Sequence, residues 1–171
     1  MPDTWKASLS LLLNQLANKS TKRLRIAILG VGNQFRSDDG VGVLIARGLS
    51  ERECARDTDH LLVIEAGHAP ENTTGALRTF SPDLVLIMDA AEIGEEPGSI
   101  QRIPEESIDG MSASTHSLPL SMLARYLTLE LNCTVTLLGI QPGSNDVGER
   151  VSPEVLQAVH EVVEELETLF S

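Results

Sequence analysis

Four side chains in this sequence have the types and placement that a reaction would need: Asp38, Asp39, Asp89 and His116. In open α/β sheets, ligands meet the protein where strands end at their carboxyl edges. Asp38 and Asp39 lie in Gly30-Val31-Gly32-Asn33-Gln34-Phe35-Arg36-Ser37-Asp38-Asp39-Gly40-Val41-Gly42, directly behind the apolar run 23–29. Asp89 directly follows the apolar run 84–88, and His116 stands in Ser114-Thr115-His116 at the head of a predicted helix. Each has a plain structural reading when taken alone. The Asp pair is a usual helix N-cap, a strand-end Asp commonly accepts loop N–H groups, and a histidine can be a cap or a satisfied, partly buried ring. Together, three strand-edge positions offer two carboxylates and one imidazole, a set suited to a divalent transition metal. With one nitrogen donor, two hard oxygens and no thiolate, the set predicts modest affinity and open coordination positions. A metal there is exchangeable or carried in by another molecule.

The Gly30 and Gly32 spacing invites a dinucleotide-binding reading, which fails in detail. Phe35 occupies the third glycine position, and two aspartates stand where a helix N-terminus should welcome phosphate. The two cysteines, Cys54 and Cys133, are far apart and in no CxxC or Cys/His spacing, so neither a structural zinc nor a disulfide framework is expected. Asn33 and Gln141 read as polar positioners near the cleft or as loop structure. His68 falls in a strand-end loop, where an exposed role is the plainer expectation. His60 and His160 read as surface residues.

The elements that must position these groups follow from periodicity. Trp5, Leu9, Leu12, Leu13 and Leu16 recur at helical steps and predict an N-terminal helix. Strands are expected over 23–29, 61–65, 84–88 and 134–140, with a short edge strand over 100–103. Helices are expected behind residue 42, weakly over 73–80, and over 117–131 with Leu118, Met122, Leu123, Tyr126 and Leu127 on one side. A last helix opens at Ser152-Pro153-Glu154, with serine as cap and proline in the first turn. Val155, Val159, Val162, Leu166 and Leu169 of that helix should face inward. Its glutamates 161, 164, 165 and 167 should form a solvated face. Apolar strands alternating with amphipathic helices predict a three-layer α/β/α sandwich with a mainly parallel twisted sheet. The chain reads as a single domain, 1–171, with residues 1–20 as an additional N-terminal helix.

Composition limits the partners. The 171 residues carry 13 Lys plus Arg against 25 Asp plus Glu, a formal net charge of −12. Such a chain repels nucleic-acid phosphates, and 3% aromatic residues leave little for base stacking. The N-terminal apolar patch lacks a basic start and is interrupted by Asn14 and Gln15, so it does not read as a signal peptide. No run approaches the ~20 apolar residues of a membrane span. No nucleic-acid or membrane partner and a reducing, cytoplasmic location are expected. The few aromatics favour a monomer.

Four segments in order, GVGNQFRSDDGVG, LVLIMDA, STHSLPLSML and TLLGIQP, resemble the [NiFe]-hydrogenase maturation endopeptidases. The HAPEN stretch at 68–72 and PGSIQRI at 97–103 look most like the branch that serves the formate-hydrogenlyase type of hydrogenase. The resemblance spans about residues 24–169. It implies an α/β/α fold and an endopeptidase that removes a C-terminal extension from a [NiFe]-hydrogenase large-subunit precursor after nickel insertion. It also implies that Asp39, Asp89 and His116 recognise nickel supplied by the substrate and carry catalysis. Such a metal would polarise the scissile carbonyl or lower the pKa of a bound water; alternatively a carboxylate would act as general base. Glu65 departs from the Asp often found at that position in close relatives. Two other readings compete: a metal-sensing module that docks on the precursor without cutting it, and a nucleotide-binding α/β domain.

Overall fold

The computed structural model describes residues 4–113, 118–144 and 146–171. It builds a five-stranded sheet in the order β2-β1-β3-β5-β4. The strands are β1 (Ile26–Val31), β2 (Leu61–Gly67), β3 (Leu84–Ala90), β4 (Ile100–Pro104) and β5 (Thr134–Ile140). Four of them run parallel, and β4 closes the edge antiparallel to β5. The helices are α1 (Trp5–Asn18), α2 (Val41–Ser50), α3 (Thr74–Phe80), α4 (Leu120–Leu131) and α5 (Pro153–Phe170).

β1 and β3 are buried along their whole length, as central strands covered on both faces must be. Successive strand side chains point to opposite faces, and the core divides accordingly. Ile26, Ile28, Leu84, Leu86 and Met88 pack with α1, α2 and α5. Ala27, Leu29, Val31, Val85 and Ile87 pack with α3 and α4. The predicted three-layer sandwich is therefore the observed one. From β1 the chain passes to β2 on one side, then returns to β3 on the other. The carboxyl ends of β1 and β3 thus flank the topological switch point, where such sheets open a crevice.

Several boundaries differ from expectation. β1 begins at Ile26, not residue 23: the Arg25 N–H donates to the Asp83 carboxylate instead of a strand partner, and its guanidinium donates to the Phe80 and Asp59 carbonyls. Gly30 does not close the strand but lies inside it. A Cβ there would overlap the Gly42 carbonyl oxygen and the Ala46 side chain, so this glycine lets α2 lie close on the sheet. β3 runs on through Asp89 to Ala90. α4 starts at Leu120, behind Pro119, and not at residue 117. Its buried stripe is Leu120, Leu123, Ala124 and Leu127, whereas Met122 and Tyr126 are exposed. The expected grouping joined residues that lie on different faces; an i, i+3, i+4, i+7 stripe from Leu120 is the one that meets the sheet.

α5 buries Val155, Val159, Val162 and Leu166 as expected, together with Ala158 and Val163, while Leu169 is half-buried. Of its glutamates, 161 and 164 are exposed and 165 and 167 half-buried. Glu161 accepts a hydrogen bond from the Trp5 indole at 3.0 Å, and Glu167 pairs with Arg52 at 3.1 Å, so part of that acidic face ties neighbouring elements together. Ser152 occupies the N-cap position of α5 without capping it. No helix among the described residues is long and apolar enough to cross a membrane. Cys54 and Cys133 are buried free thiols.

Candidate active site

The turn behind β1 is shaped by backbone demands that few residues satisfy. Gly32 has φ +129°, and a Cβ there would overlap the Asp39 carbonyl oxygen and come 3.5 Å from Oδ1 of Asp89. Only glycine fits between these two segments. The Gly32 N–H donates to the Gly67 carbonyl at 2.9 Å, which ties the end of β1 to the end of β2. Asn33 then folds the chain back. Its Oδ1 accepts from the Phe35 N–H at 2.9 Å, and its carbonyl accepts from the Arg36 N–H at 3.1 Å, a side-chain-stabilised turn. A single 3-10 turn, Ser37–Gly40, leads into α2.

That turn carries both aspartates inward, and neither caps a helix. Asp39 is 4% exposed. Its Oδ2 accepts from the Asn33 N–H at 3.0 Å, while its Oδ1 is buried with no hydrogen-bond partner among the described residues. A buried, unmatched carboxylate oxygen costs ~1–3 kcal/mol or more, so its retention suits a group that completes it from outside. Asp89 is fully buried at the carboxyl end of β3. Its Oδ1 accepts from the Ala90 N–H at 2.9 Å and its Oδ2 from the Ser112 hydroxyl at 2.8 Å. Ser112 is delivered by a short run alongside β3, in which Glu92 N–H donates to the Met111 carbonyl and Ala113 N–H to the Ala90 carbonyl.

Asp38 points the other way, into the chain between β5 and α5. Its carboxylate accepts from the Gly143 N–H at 2.7 Å, the Ser144 N–H at 2.9 Å, the Ser152 N–H at 2.7 Å and the Ser152 hydroxyl at 2.6 Å. Burial alone would raise the Asp38 carboxyl. The bonds from Ser152, Ser144 and Gly143 outweigh that and hold it below the ordinary value of 3.8. Ser152 thus turns its hydroxyl as a donor to Asp38, and it makes no side-chain cap bond to α5.

The Asp39 backbone carbonyl and the Asp89 carboxylate both border Gly32, so the structure sets the two segments side by side. His116, with Ser114 and Thr115, lies outside the described residues. Among the described residues no group of three or more His, Cys, Asp and Glu side chains is gathered as a metal cage. Gln141 is a loop-holding residue: its Oε1 accepts from the Ile93 N–H at 2.8 Å and its Nε2 donates to Glu92 at 2.9 Å. Glu65 is exposed and paired with Arg47, both of its oxygens 3.1 Å from guanidinium nitrogens. His68 is exposed and borders, with Glu65, Asn33 and Phe35, a pocket of about 260 Å³ beside Gly32. His160 is exposed as expected, while His60 is half-buried against Asp57 at 3.2 Å. A cavity of about 350 Å³ under Leu13, Leu24, Leu169 and Phe170 lies at the amino ends of β1 and β2, the other end of the sheet, and belongs to the docking of α1 and α5. Sequence reasoning did not find the roles of Ser112 and Asp38. The doubled aspartate was the one visible signal; it suggested that one carboxylate caps and the other projects outward, and it did not reveal that Asp38 binds residues 143, 144 and 152.

Fold and site together define a class: a carboxylate-based site, free of thiolates among the described residues, at the switch point of a mainly parallel α/β sandwich. The family model for hydrogenase maturation protease (HycI) matches residues 43–169. A putative hydrogenase maturation protease of Methanocaldococcus jannaschii is 32% identical over 166 residues, covering 91% of this chain and 96% of that protein. The hydrogenase 3 maturation protease of Escherichia coli K12 is 35% identical over 141 residues, covering 82% of this chain and 87% of that protein. The crystal structure of a [NiFe] hydrogenase maturation protease HycI from Thermococcus kodakarensis superposes with a TM-score of 0.79 at 31% identity, covering 94% of this chain and 98% of that one. The chain belongs to the hydrogenase maturation protease family, and is accordingly a hydrolase acting on peptide bonds. This removes the non-cutting docking module and the nucleotide-binding domain as readings.

Proposed function

We propose that this protease removes the C-terminal extension of a [NiFe]-hydrogenase large-subunit precursor after nickel insertion, and that it recognises the nickel the precursor carries. The observation that supports this best is the buried Oδ1 of Asp39, which has no hydrogen-bond partner among the described residues, in a turn whose Asp39 backbone packs, like the Asp89 carboxylate, against Gly32. Two carboxylates form an incomplete set for a transition metal. His116 follows three residues after Ala113, which is hydrogen-bonded beside Asp89, and it is the nitrogen donor proposed to join them. The remaining ligands would come from the substrate.

In this reading the substrate's nickel supplies Lewis acidity near the scissile carbonyl. Asp39 contributes its free oxygen. Asp89 is oriented by Ala90 and Ser112, which leaves its carboxylate little rotational freedom and presents it in a fixed direction. Because the metal arrives with the substrate, a metal-free precursor would not complete the site, and cleavage becomes a test of nickel insertion. The decisive experiment mixes the purified protease with nickel-loaded and nickel-free precursor and follows shortening of the large subunit on a gel. Cleavage of the loaded form alone is expected. Equal cleavage of both would overturn nickel recognition, and cleavage of neither would overturn the assignment of this substrate.

A further inference from the structure

Asp38 is a fully buried carboxylate that the reaction just described does not use, and its surroundings give it a separate task. The segment 143–152, in which residue 145 is outside the description, is an irregular strap from β5 to α5. The strap is fastened to the turn behind β1 at both of its ends and in its middle. Asp38 gathers Gly143 and Ser144 at one end and Ser152 at the other. Between them, the Ser37 hydroxyl donates to the Arg150 carbonyl at 2.8 Å, the Gly148 N–H donates to the Phe35 carbonyl at 3.1 Å, and the Asp38 N–H donates to the Ser144 carbonyl at 3.0 Å. The fit is close: a Cβ on Gly143 would stand 2.9 Å from the Ser152 hydroxyl and 3.3 Å from Oδ2 of Asp38. Phe35 and Val147, on the two fastened segments, are each 72% exposed.

We propose that Asp38 is a positioning residue of the proteolytic site: by drawing four donors of the 143–152 strap onto the turn that carries Asp39, it sets the direction of Asp39. Adjacent residues on one tight turn cannot move independently. If the strap is released, the turn loses its anchor, and the buried carboxylate of Asp39 is no longer held where its free oxygen meets the substrate. A displacement of about 1 Å is enough to cost a reaction on the order of 100-fold. The inference rests on the reading of Asp39 as a reacting group.

The test is a graded series in the full-length protein: Ser152→Ala, which removes one of the four donors, then Asp38→Asn, then Asp38→Ala. Two readouts are taken. Hydrogen exchange of the 143, 144 and 152 amides is followed in the free enzyme, and kcat and KM are measured on nickel-loaded precursor. Exchange should quicken in the order of the series. For Asp38→Asn, kcat should fall by ~10- to 100-fold with a smaller rise in KM. Leu166→Ala, a buried α5 truncation far from the strap, serves as the control for lost stability, assayed well below its melting temperature. Asp38→Asn losing no more activity than Leu166→Ala would make Asp38 merely structural and overturn the inference. So would faster strap exchange with unchanged kcat. A wild-type enzyme that fails to process any precursor sinks the underlying functional reading instead, and the two failures are thereby told apart.

Discussion

At the scale of single residues, two neighbouring aspartates with the same chemistry have opposite duties. Asp39 spends one oxygen on the Asn33 N–H and leaves the other without a partner among the described residues. Asp39→Ala should therefore abolish precursor processing, by at least ~100-fold, yet leave the melting temperature unchanged or raised. It removes an unmatched buried oxygen and loses one hydrogen bond, worth ~1 kcal/mol. Gel assay and thermal melting in parallel check both halves. Asp38 has the reverse profile, since its oxygens are fully engaged. Its carboxyl is held below 3.8 in the folded protein. Its contribution is thus fully present above that pH and is lost as pH falls through the lowered folded value. Urea melts between pH 6 and ~2 should show a steeper acid loss for the wild type than for Asp38→Asn, which starts lower and stays flatter.

At the scale of elements, the contact between α2 and the sheet governs the site, because α2 begins immediately after the Asp39 turn. Two glycines permit that contact. A Cβ on Gly42 would overlap the carbonyl oxygens of Met88 and Val31, backbone atoms that cannot swing aside. Gly42→Ala should cost at least ~2 kcal/mol in urea unfolding, as overpacking against rigid neighbours does. It should also reduce processing by shifting the Asp39 turn. Gly75→Ala on α3, where an added Cβ meets nothing within 4 Å, should instead be neutral or slightly stabilising. The strand runs were legible in the sequence because β-branched and aliphatic residues crowd between turn signals: β5, TVTLLGI, was expected over 134–140 and is found there. Helix faces were less legible. The exposure of Met122 and Tyr126 depends on how α4 is rolled against the sheet, and Tyr126 spends its hydroxyl accepting from Arg78 at 2.9 Å, a partner 48 residues away.

At the scale of the whole molecule, α1 joins the domain through Trp5, 7% exposed, and fully buried Leu9. The Ser8 hydroxyl accepts from Arg102 of β4 at 2.7 Å. Trp5→Ala should destabilise the protein by ~3–5 kcal/mol. Since Trp5 is the sole tryptophan of the chain, its fluorescence also reports whether α1 leaves with the rest. Coincident denaturant transitions by fluorescence and far-UV circular dichroism would show one cooperative unit. A fluorescence transition that precedes the other would show α1 undocking alone.

The sequence by itself determined the three-layer architecture, because alternating apolar strands and amphipathic helices must bury their apolar faces against one another. It also placed the Asp38-Asp39 pair and Asp89 behind apolar runs, since position relative to such a run is a local property; only the family resemblance singled out Asp39 of the pair. What only the tertiary structure decided was the division of labour within Asp38-Asp39. A carboxylate's role depends on which donors surround it, and those of Asp38 come from residues 105 to 114 positions away in the chain. The same holds for Ser152, a helix cap by every local rule, whose hydroxyl is taken instead by a buried carboxylate that folding alone brings within reach.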